Sequence, residues 1–363
     1  MTDETLTAAI HARMLAALPP AALPPAASRP PASVPRASVP PPAPASAVTE
    51  LERFRELLRD YPRRTGKTVR GRLVALSARA HGATPDEAAI VVAAALELFQ
   101  AWVLIHDDIE DDSFTRRGEP ALHRLVGMPV ALNVGDALHV HMWRLLHGLF
   151  RYPEVDAGLI IDEFATMIDR TAEGQHLDLT YVHQGRVDIG EAAYLHMVTL
   201  KTAYYTVVTP LRLGALLAGA DPDPAFTAAG IDLGVAFQIR DDVLNLRHSS
   251  SATAAYGKEF AGDLYEGKRT LIIAHLLGSA SPAHVAEVVD LLAGQRSARS
   301  PAAVARLLAL ISQYGSLEYA QSIAEARAAS GLGTLRSVLG RLPDSGAAAR
   351  LLSILDSVAM RVS

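Results

Sequence analysis

Cysteine is absent from this chain of 363 residues, and its absence removes several kinds of chemistry at once. Without cysteine there is no disulfide framework, no thiolate metal site and no thiol nucleophile. The composition fits a reducing compartment, and we expect a cytoplasmic protein. An excess of positive charge is also lacking, because the net charge is −5. That balance argues against a nucleic-acid partner.

Signals for secretion and for membrane insertion are weak. Residues 1–10 contain two acids and no lysine or arginine, so we expect no secretory signal. The longest apolar run, residues 88–105, is 18 residues long and resembles a membrane span. It contains Glu97 and Gln100, however, and five acids follow it between Asp107 and Asp112. Charge is costly inside a membrane, so this run predicts a buried core helix and no transmembrane segment.

Strand-like segments are also scarce, and only residues 204–208 resemble one. Elsewhere, apolar residues recur at three- and four-residue spacing, which indicates amphipathic helices. This spacing is found in residues 86–106, 130–150, 157–178, 224–246 and 302–326. The sequence therefore predicts an all-α fold with ten or more helices.

Proline divides the chain into two parts. Residues 18–47 contain so many prolines that they cannot form a helix. We therefore expect residues 1–47 to form a disordered tail rich in proline and alanine, with a short amphipathic helix at residues 3–17. Residues 48–363 would then form one large domain.

The most informative residues are two acidic clusters that follow apolar segments, since burial of an unpaired charge is costly. In the first cluster, Asp107 and Asp111 are four residues apart and share one helix face. Two like charges on one face repel unless a cation lies between them, and Mg²⁺ prefers such oxygen ligands. Asp108 points about 100° away from that face. The second cluster has Asp241 and Asp242, with Asn245 in place of a third acid.

Cationic residues lie near both clusters in the sequence. Arg116 and Arg117 follow the first cluster, and Lys258 and Lys268 follow the second. Such side chains either neutralise the carboxylates or bind the oxyanion that the metals bring in. The segment 61–70 is a further basic stretch with a glycine, which suits a second phosphate group.

Six motifs occur along the chain in the same order as in the trans-isoprenyl diphosphate synthases, or polyprenyl synthetases. Within that family, the sequence most resembles the geranylgeranyl diphosphate synthases. The resemblance covers residues 48–363. The matching residues are Gly66, Lys67 and Arg70; Asp107, Asp108, Asp111, Arg116 and Arg117; Gly174, Gln175 and Asp178; Lys201 and Thr202; Phe237, Gln238, Asp241 and Asp242; and Lys258 with Lys268.

The resemblance implies an isoprenoid synthase fold, a single helical bundle around a central cavity, assembled as a homodimer. It implies a Mg²⁺-dependent head-to-tail condensation of isopentenyl diphosphate with an allylic diphosphate. Three Mg²⁺ would be held by Asp107, Asp111 and Asp241. The allylic diphosphate would be bound by Arg116, Lys201 and Lys258, and the isopentenyl diphosphate by Gly66, Lys67, Arg70, Gln100 and Arg117. Further residues expected in catalysis or substrate binding are Asp108, Gln175, Thr202, Gln238, Asp242 and Lys268.

The residues before the first acidic cluster predict the length of the product. In this family, the pattern that resembles geranylgeranyl synthases has an aromatic residue five positions before the first aspartate and a smaller residue four positions before it. Trp102 and Val103 occupy these positions, and Phe99 shares a helix face with Trp102. We therefore predict geranylgeranyl diphosphate as the product. The alternatives are a farnesyl or longer-chain synthase, a class I terpene cyclase and a non-catalytic synthase subunit.

Overall fold

Helices make up most of the computed structural model, which describes residues 2–22, 44–64, 66, 68–83, 86–247, 259–294 and 296–359. The α-helices are α1 (Asp3–Ala16), α2 (Ala45–Arg63), α3 (Val69–Ala80), α4 (Asp86–Glu110), α5 (Leu122–Val126), α6 (Met128–His147), α7 (Ala157–His183), α8 (Glu191–Val198), α9 (Thr209–Leu217), α10 (Pro224–Arg247), α11 (Gly262–Glu266), α12 (Leu271–Ser279), α13 (Pro282–Leu292), α14 (Pro301–Gln313), α15 (Ser316–Leu339) and α16 (Ser345–Ala359). Short 3₁₀ helices span Gly148–Arg151 and Arg296–Ala298, and a π-helix spans Thr199–Val208. The prediction of an all-α fold with ten or more helices is confirmed.

The β-structure of the described residues is one small hairpin. Strands β1 (Thr115–Arg116) and β2 (Glu119–Pro120) pair antiparallel directly after the first acidic cluster. Gly118, with φ of 82°, turns the chain between them. A left-handed backbone conformation of this kind suits glycine, which has no Cβ. The hairpin brings Arg116 back beside the end of α4.

Helix α4 lies in the core of the bundle, as the acids within and after its apolar run predict. Val92, Leu96 and Phe99 are each at most 1% exposed. By length and composition Glu87–Glu110 could cross a membrane, but 72% of its apolar window is buried inside the protein. The apolar residues are thus used for packing against neighbouring helices.

The strand predicted at residues 204–208 is wrong, because these residues belong to the π-helix. The π-helix packs between α7 and α10, and glycines on both helices allow the close approach. A Cβ at Gly174 on α7 would overlap the backbone of Lys201, and one at Gly234 on α10 would overlap Ala203. Tertiary packing here overrides the strand preference of valine and tyrosine.

The helix predicted at residues 302–326 is divided into α14 and α15. Gly315, with φ of 63°, lies between them and starts α15. A left-handed residue ends the regular hydrogen bonding of the preceding helix. The periodicity continues across the break because both helices bury apolar residues on neighbouring elements.

The N-terminal helix corrects the predicted boundary at residue 47. Helix α1 does form at the predicted place, but it is part of the core and not of a disordered tail. Leu6, Ile10 and Met14 are spaced four apart and are at most 4% exposed. Their burial offsets the cost of ordering the helix. Residues 23–43, the centre of the predicted tail, lie outside the described residues.

Candidate active site

The first acidic cluster lines one wall of a pocket, and Asn245 of α10 lies in the opposite wall, four residues after Asp241. The pocket is lined by Asp107 and Asp111 on one side and by Asn245, Asp263, Glu266 and Lys268 on the other. Lys268 connects the two walls, since its Nζ donates to Oδ2 of Asp111 at 2.7 Å and lies 3.1 Å from Glu266. Residues far apart in the sequence thus form one charged site.

Asp107 and Asp111 project into this pocket from the last turn of α4. The backbone N–H of Asp111 still bonds to the carbonyl of Asp107, so the helical spacing holds to the end of the cluster. Asp107 lies 3.2 Å from Arg116 and 3.5 Å from Lys201. Burial raises the pKa of Asp111 to about 7, with a further contribution from the charge of Asp107. The pair therefore needs nearby positive charge.

Asp108 points away from the pocket and holds other residues in place. It is fully buried, and it accepts hydrogen bonds from the hydroxyl of Tyr61 and the guanidinium of Arg116. Burial alone would lower the pKa of Arg116, but the carboxylate of Asp108 raises it above its usual range. Arg116 is thus a permanent cation, fixed where the hairpin meets α4.

A connected set of hydrogen bonds holds the second cluster. Thr202 Oγ1 donates to Gln238 at 3.0 Å, and Gln238 Nε2 donates to Asp242 at 2.8 Å. Tyr194 also donates to Asp242, and burial raises the pKa of Asp242 to about 8. Asp241 lies half-buried on α10 beside this set. Each acidic cluster therefore has one buried aspartate that is held by a tyrosine.

Asn245 is bonded to backbone groups of the loop before α11. Its Nδ2 donates to the carbonyl of Glu259 at 3.2 Å, and its Oδ1 accepts from the N–H of Asp263 at 3.2 Å. An aspartate could accept from Asp263 but could not donate to Glu259. The asparagine thus joins the second cluster to the loop that carries Asp263.

The π-helix presents Lys201 to the first cluster. Nζ of Lys201 lies 2.5 Å from Asp178 on α7 and 3.5 Å from Asp107. Burial alone would lower the pKa of Lys201, but the carboxylates of Asp178 and Asp107 raise it. Gln175, one turn before Asp178, donates to Glu110 at 2.6 Å. A π-helix at such a position is a frequent mark of a functional site.

A second pocket lies beside the first and contains three of the residues predicted for isopentenyl diphosphate. Gly66, Gln100 and Arg117 line it, together with His11, Tyr61, Arg64, Glu97, Arg116 and others, around a space of about 430 Å³. The guanidinium of Arg117 lies over Gly66, where a Cβ would be 3.0 Å from Nη2. Arg117 donates to the carbonyl of Arg64.

Three predicted residues lie either outside the lining of this second pocket or outside the described residues. Arg70 is buried outside its lining, donates to Thr206 Oγ1 at 3.0 Å and stacks 4.6 Å from the centre of the Tyr205 ring. Lys67 and Lys258 lie outside the described residues.

Aromatic rings pack together on α4 and α6, one to two turns before the first cluster. Trp102 stacks on His139 of α6 with ring centres 4.0 Å apart and planes 9° apart. Phe99 meets Trp102 edge-on at 5.6 Å, and Val103 is half-buried beside them. Trp143 Nε1 donates to His139 Nε2 at 2.7 Å, which fixes the orientation of the imidazole ring.

Tyr61, Tyr194 and His139 were not predicted as site residues. A buried tyrosine that holds an aspartate leaves no spacing signal, because its partner lies far away in the sequence. Tyr61 and Asp108, for example, are separated by 47 residues. Asp178 belongs to the motif of Gly174 and Gln175. Its negative charge was the one sequence signal for its ion pair with Lys201.

The donors present fit Mg²⁺. Within the described residues, no group of three or more acidic or histidine side chains is already arranged around one metal position. Instead, the ammonium groups of Lys201 and Lys268 lie against Asp107 and Asp111, which shows that these walls require positive charge. Carboxylate oxygens are the ligands that Mg²⁺ takes, and it retains waters that a phosphate can replace.

An all-α bundle with this site has close relatives among isoprenoid synthases. The solved geranylgeranyl pyrophosphate synthase of Corynebacterium glutamicum, complexed with isoprenyl diphosphate and magnesium, has a TM-score of 0.80 and 26% identity, over 99% of this chain and 98% of that one. A short chain isoprenyl diphosphate synthase of Methanothermobacter thermautotrophicus is 34% identical over 264 residues, 71% of this chain and 76% of the relative. A geranylfarnesyl diphosphate synthase of Aeropyrum pernix is 33% identical over 307 residues, 82% of this chain and 91% of the relative.

The model of the polyprenyl synthetase family matches residues 51–311. The chain belongs to this family, and it is a prenyltransferase with the isoprenoid synthase fold. The family, fold and enzyme class predicted from the motifs are therefore confirmed.

Proposed function

We propose that the protein condenses isopentenyl diphosphate with an allylic diphosphate and that its main product is geranylgeranyl diphosphate. The observation that supports this product is the stack of Trp102 on His139, which places a large ring on α4 five residues before Asp107. The alternative with the most support is a longer product, since one relative is named for the geranylfarnesyl compound. A larger side chain in place of Val103 would favour the shorter farnesyl product.

Each diphosphate has its own set of polar side chains in this proposal. Arg116 and Lys201 bind the allylic diphosphate, since they lie 3.2 and 3.5 Å from Asp107. Gln100 and Arg117 bind isopentenyl diphosphate in the second pocket. Guanidinium groups match phosphate oxygens in pairs, which orients both substrates before reaction.

Asp107, Asp111 and Asp241 would hold Mg²⁺, with three ions as the proposed number. Bound Mg²⁺ supplies charge neutralisation and Lewis acidity at the leaving diphosphate. The chain supplies the surroundings: Asp108 fixes Arg116, and Asp178 fixes Lys201. Preorganised cations of this kind stabilise the charge that develops as the bond breaks.

The reaction then needs a pocket that excludes water and holds the two substrates in a fixed orientation. The allylic C–O bond breaks, and its electron pair leaves with the diphosphate. The π-bond of isopentenyl diphosphate attacks the allylic carbon, and loss of a proton to the departing diphosphate restores an alkene. Thr202 and Gln238 are joined by a hydrogen bond, and their side chains shield the allylic cation. The apolar rings of Phe99 and Trp102 exclude water from the growing chain.

We also propose a cytoplasmic homodimer. Helix α6 exposes Met128, Leu132 and Val140 on one face, at 57%, 41% and 53% exposure. Large apolar residues on one exposed face are typical of an interface. Light scattering of the purified protein would give twice the monomer mass of 38.6 kDa.

Product analysis tests the proposed function. Purified protein is incubated with Mg²⁺, labelled isopentenyl diphosphate and each allylic primer in turn, and the product chains are sized. We expect a twenty-carbon product. A dominant fifteen- or twenty-five-carbon product contradicts the proposed length. Diphosphate release from the allylic substrate alone indicates a terpene cyclase, and no release at all indicates a non-catalytic subunit.

A further inference from the structure

The N-terminal helix forms a wall of the second pocket. Three of its residues contact the segment that contains the basic motif, and they do so in antiparallel order. Asp3 pairs with Arg72, Thr7 accepts from Thr68 at 3.4 Å, and the His11 ring bonds to the carbonyl of Pro62. Positions 3, 7 and 11 lie on one face of α1. The helix thus contacts Pro62, Thr68 and Arg72 in turn along its length.

His11 is the polar residue that α1 contributes to the lining of this pocket, where it lies near Gly66, Gln100 and Arg117. Its Nε2 is 3.0 Å from the carbonyl oxygen of Pro62. A carbonyl oxygen only accepts, so Nε2 carries a hydrogen and donates it. The remaining nitrogen, Nδ1, is the one through which a ligand can be bound. Pro62 thereby fixes the ring at the edge of the pocket.

We propose that His11 is a further binding residue for the diphosphate group of isopentenyl diphosphate. This proposal rests on the proposed function, which assigns the second pocket to that substrate. The charged side chains that line the same pocket are Arg64, Arg116, Arg117 and the buried Glu97. In its imidazolium form the ring donates from Nδ1 to a phosphate oxygen.

Glu97 is the acidic side chain in the lining of this pocket. It is buried, and it accepts a hydrogen bond from the N–H of Gly71 at 2.9 Å. Burial raises the pKa of Glu97, and the bond from Gly71 and the charges of Arg70 and Arg117 offset this in part. The cations of the pocket are thus partly engaged with Glu97, and His11 adds a further polar group for a diphosphate.

Steady-state kinetics on the full-length protein test this role. His11→Phe keeps a ring but loses both hydrogen bonds, and we expect the KM for isopentenyl diphosphate to rise about 10-fold, as loss of one charge-assisted hydrogen bond predicts. The KM for the allylic primer and kcat should stay within about two-fold. His11→Gln, whose amide can still donate, should restore part of the affinity. Leu6→Ala is the control: Leu6 is buried on α1 but is not in the pocket lining, so the variant should lose stability without a change in this KM.

Two outcomes overturn the role of His11: an unchanged KM for isopentenyl diphosphate in His11→Phe, or an equal rise in the KM of both substrates. If the unmodified protein fails to condense the substrates, the proposed function itself is wrong. In that case calorimetric titration with isopentenyl diphosphate still decides the question. Equal affinity of His11→Phe and the unmodified protein would refute the site.

Discussion

The hydroxyl of Tyr194 donates a hydrogen bond of 2.7 Å to Oδ2 of Asp242, and both groups are buried. Tyr61 has the same relation to Asp108 in the other cluster. In each acidic motif, one aspartate is buried and accepts a hydrogen bond from a tyrosine, and in the first motif Asp107 and Asp111 line the pocket. The buried aspartates therefore position the exposed ones and the cations around them.

Tyr194→Phe should lower both stability and kcat. Asp242 would lose one of its hydrogen bonds, and an unsatisfied buried acceptor costs about 1–3 kcal/mol. Chemical denaturation and steady-state kinetics measure the two effects. Tyr314→Phe is a matched control, because its hydroxyl bonds to His284 and Ser281 away from the site. The control should lose stability with unchanged kcat, and equal kinetics in both variants would contradict a positioning role for Tyr194.

Asn245→Asp should weaken the loop before α11 without improving the use of Mg²⁺. The aspartate cannot donate to the carbonyl of Glu259, and we expect a loss of about 1–3 kcal/mol in the free energy of unfolding. Denaturation and the Mg²⁺ concentration for half-maximal activity are the measurements. A lower Mg²⁺ requirement in the variant would show that this position reaches the metals, contrary to its backbone contacts.

Trp102→Ala should lengthen the product by at least one five-carbon unit. Removing the indole opens space over His139 along the path of the growing chain. The measurement is the size distribution of labelled products. Trp143→Phe is the control, since it removes the hydrogen bond to His139 but keeps a large ring beside it. A product of unchanged length in Trp102→Ala would place the floor elsewhere.

The docking of α1 should weaken in acid. The hydrogen bond from Arg350, with the charge of Arg72, holds the pKa of Asp3 below the usual 3.8. A lowered pKa means that Asp3 stabilises the fold above pH 3.8 and loses this effect as the pH falls through its folded value. As the pH is lowered from about 5 to 3, the protection factors of the α1 amides against hydrogen exchange should fall more than those of α4. Asp3→Asn removes the charge and should abolish this difference.

Local geometry explains which parts of the site could be predicted. The spacing of Asp107 and Asp111 places them on one helix face because helix geometry depends only on neighbouring residues. The bond between Lys268 and Asp111 joins residues 157 positions apart, and no periodicity encodes such a pairing. The role of Asn245 was likewise open, since its partners are backbone groups of a distant loop.

The predicted disorder of the tail was wrong for α1, and the reason is physical. Composition predicts disorder for the proline-rich segment, but it says nothing of what the helix before that segment contacts. The stripe of Leu6, Ile10 and Met14 on α1 predicts a helix, whereas its burial depends on the groove that the rest of the bundle offers. The strand predicted at residues 204–208 failed similarly, because packing against glycines determines the π-helix there.

Asp3 contacts Arg72 on α3 and Arg350 on α16, so the two ends of the described chain meet at one carboxylate. During synthesis, α1 must wait for α16 to emerge from the ribosome before this anchor is complete. A nascent chain that carries both acidic clusters but not α16 would therefore still lack one of the contacts that hold α1, the helix of His11, at the second pocket. The order of translation thus delays the full anchoring of this wall until α16 has been made.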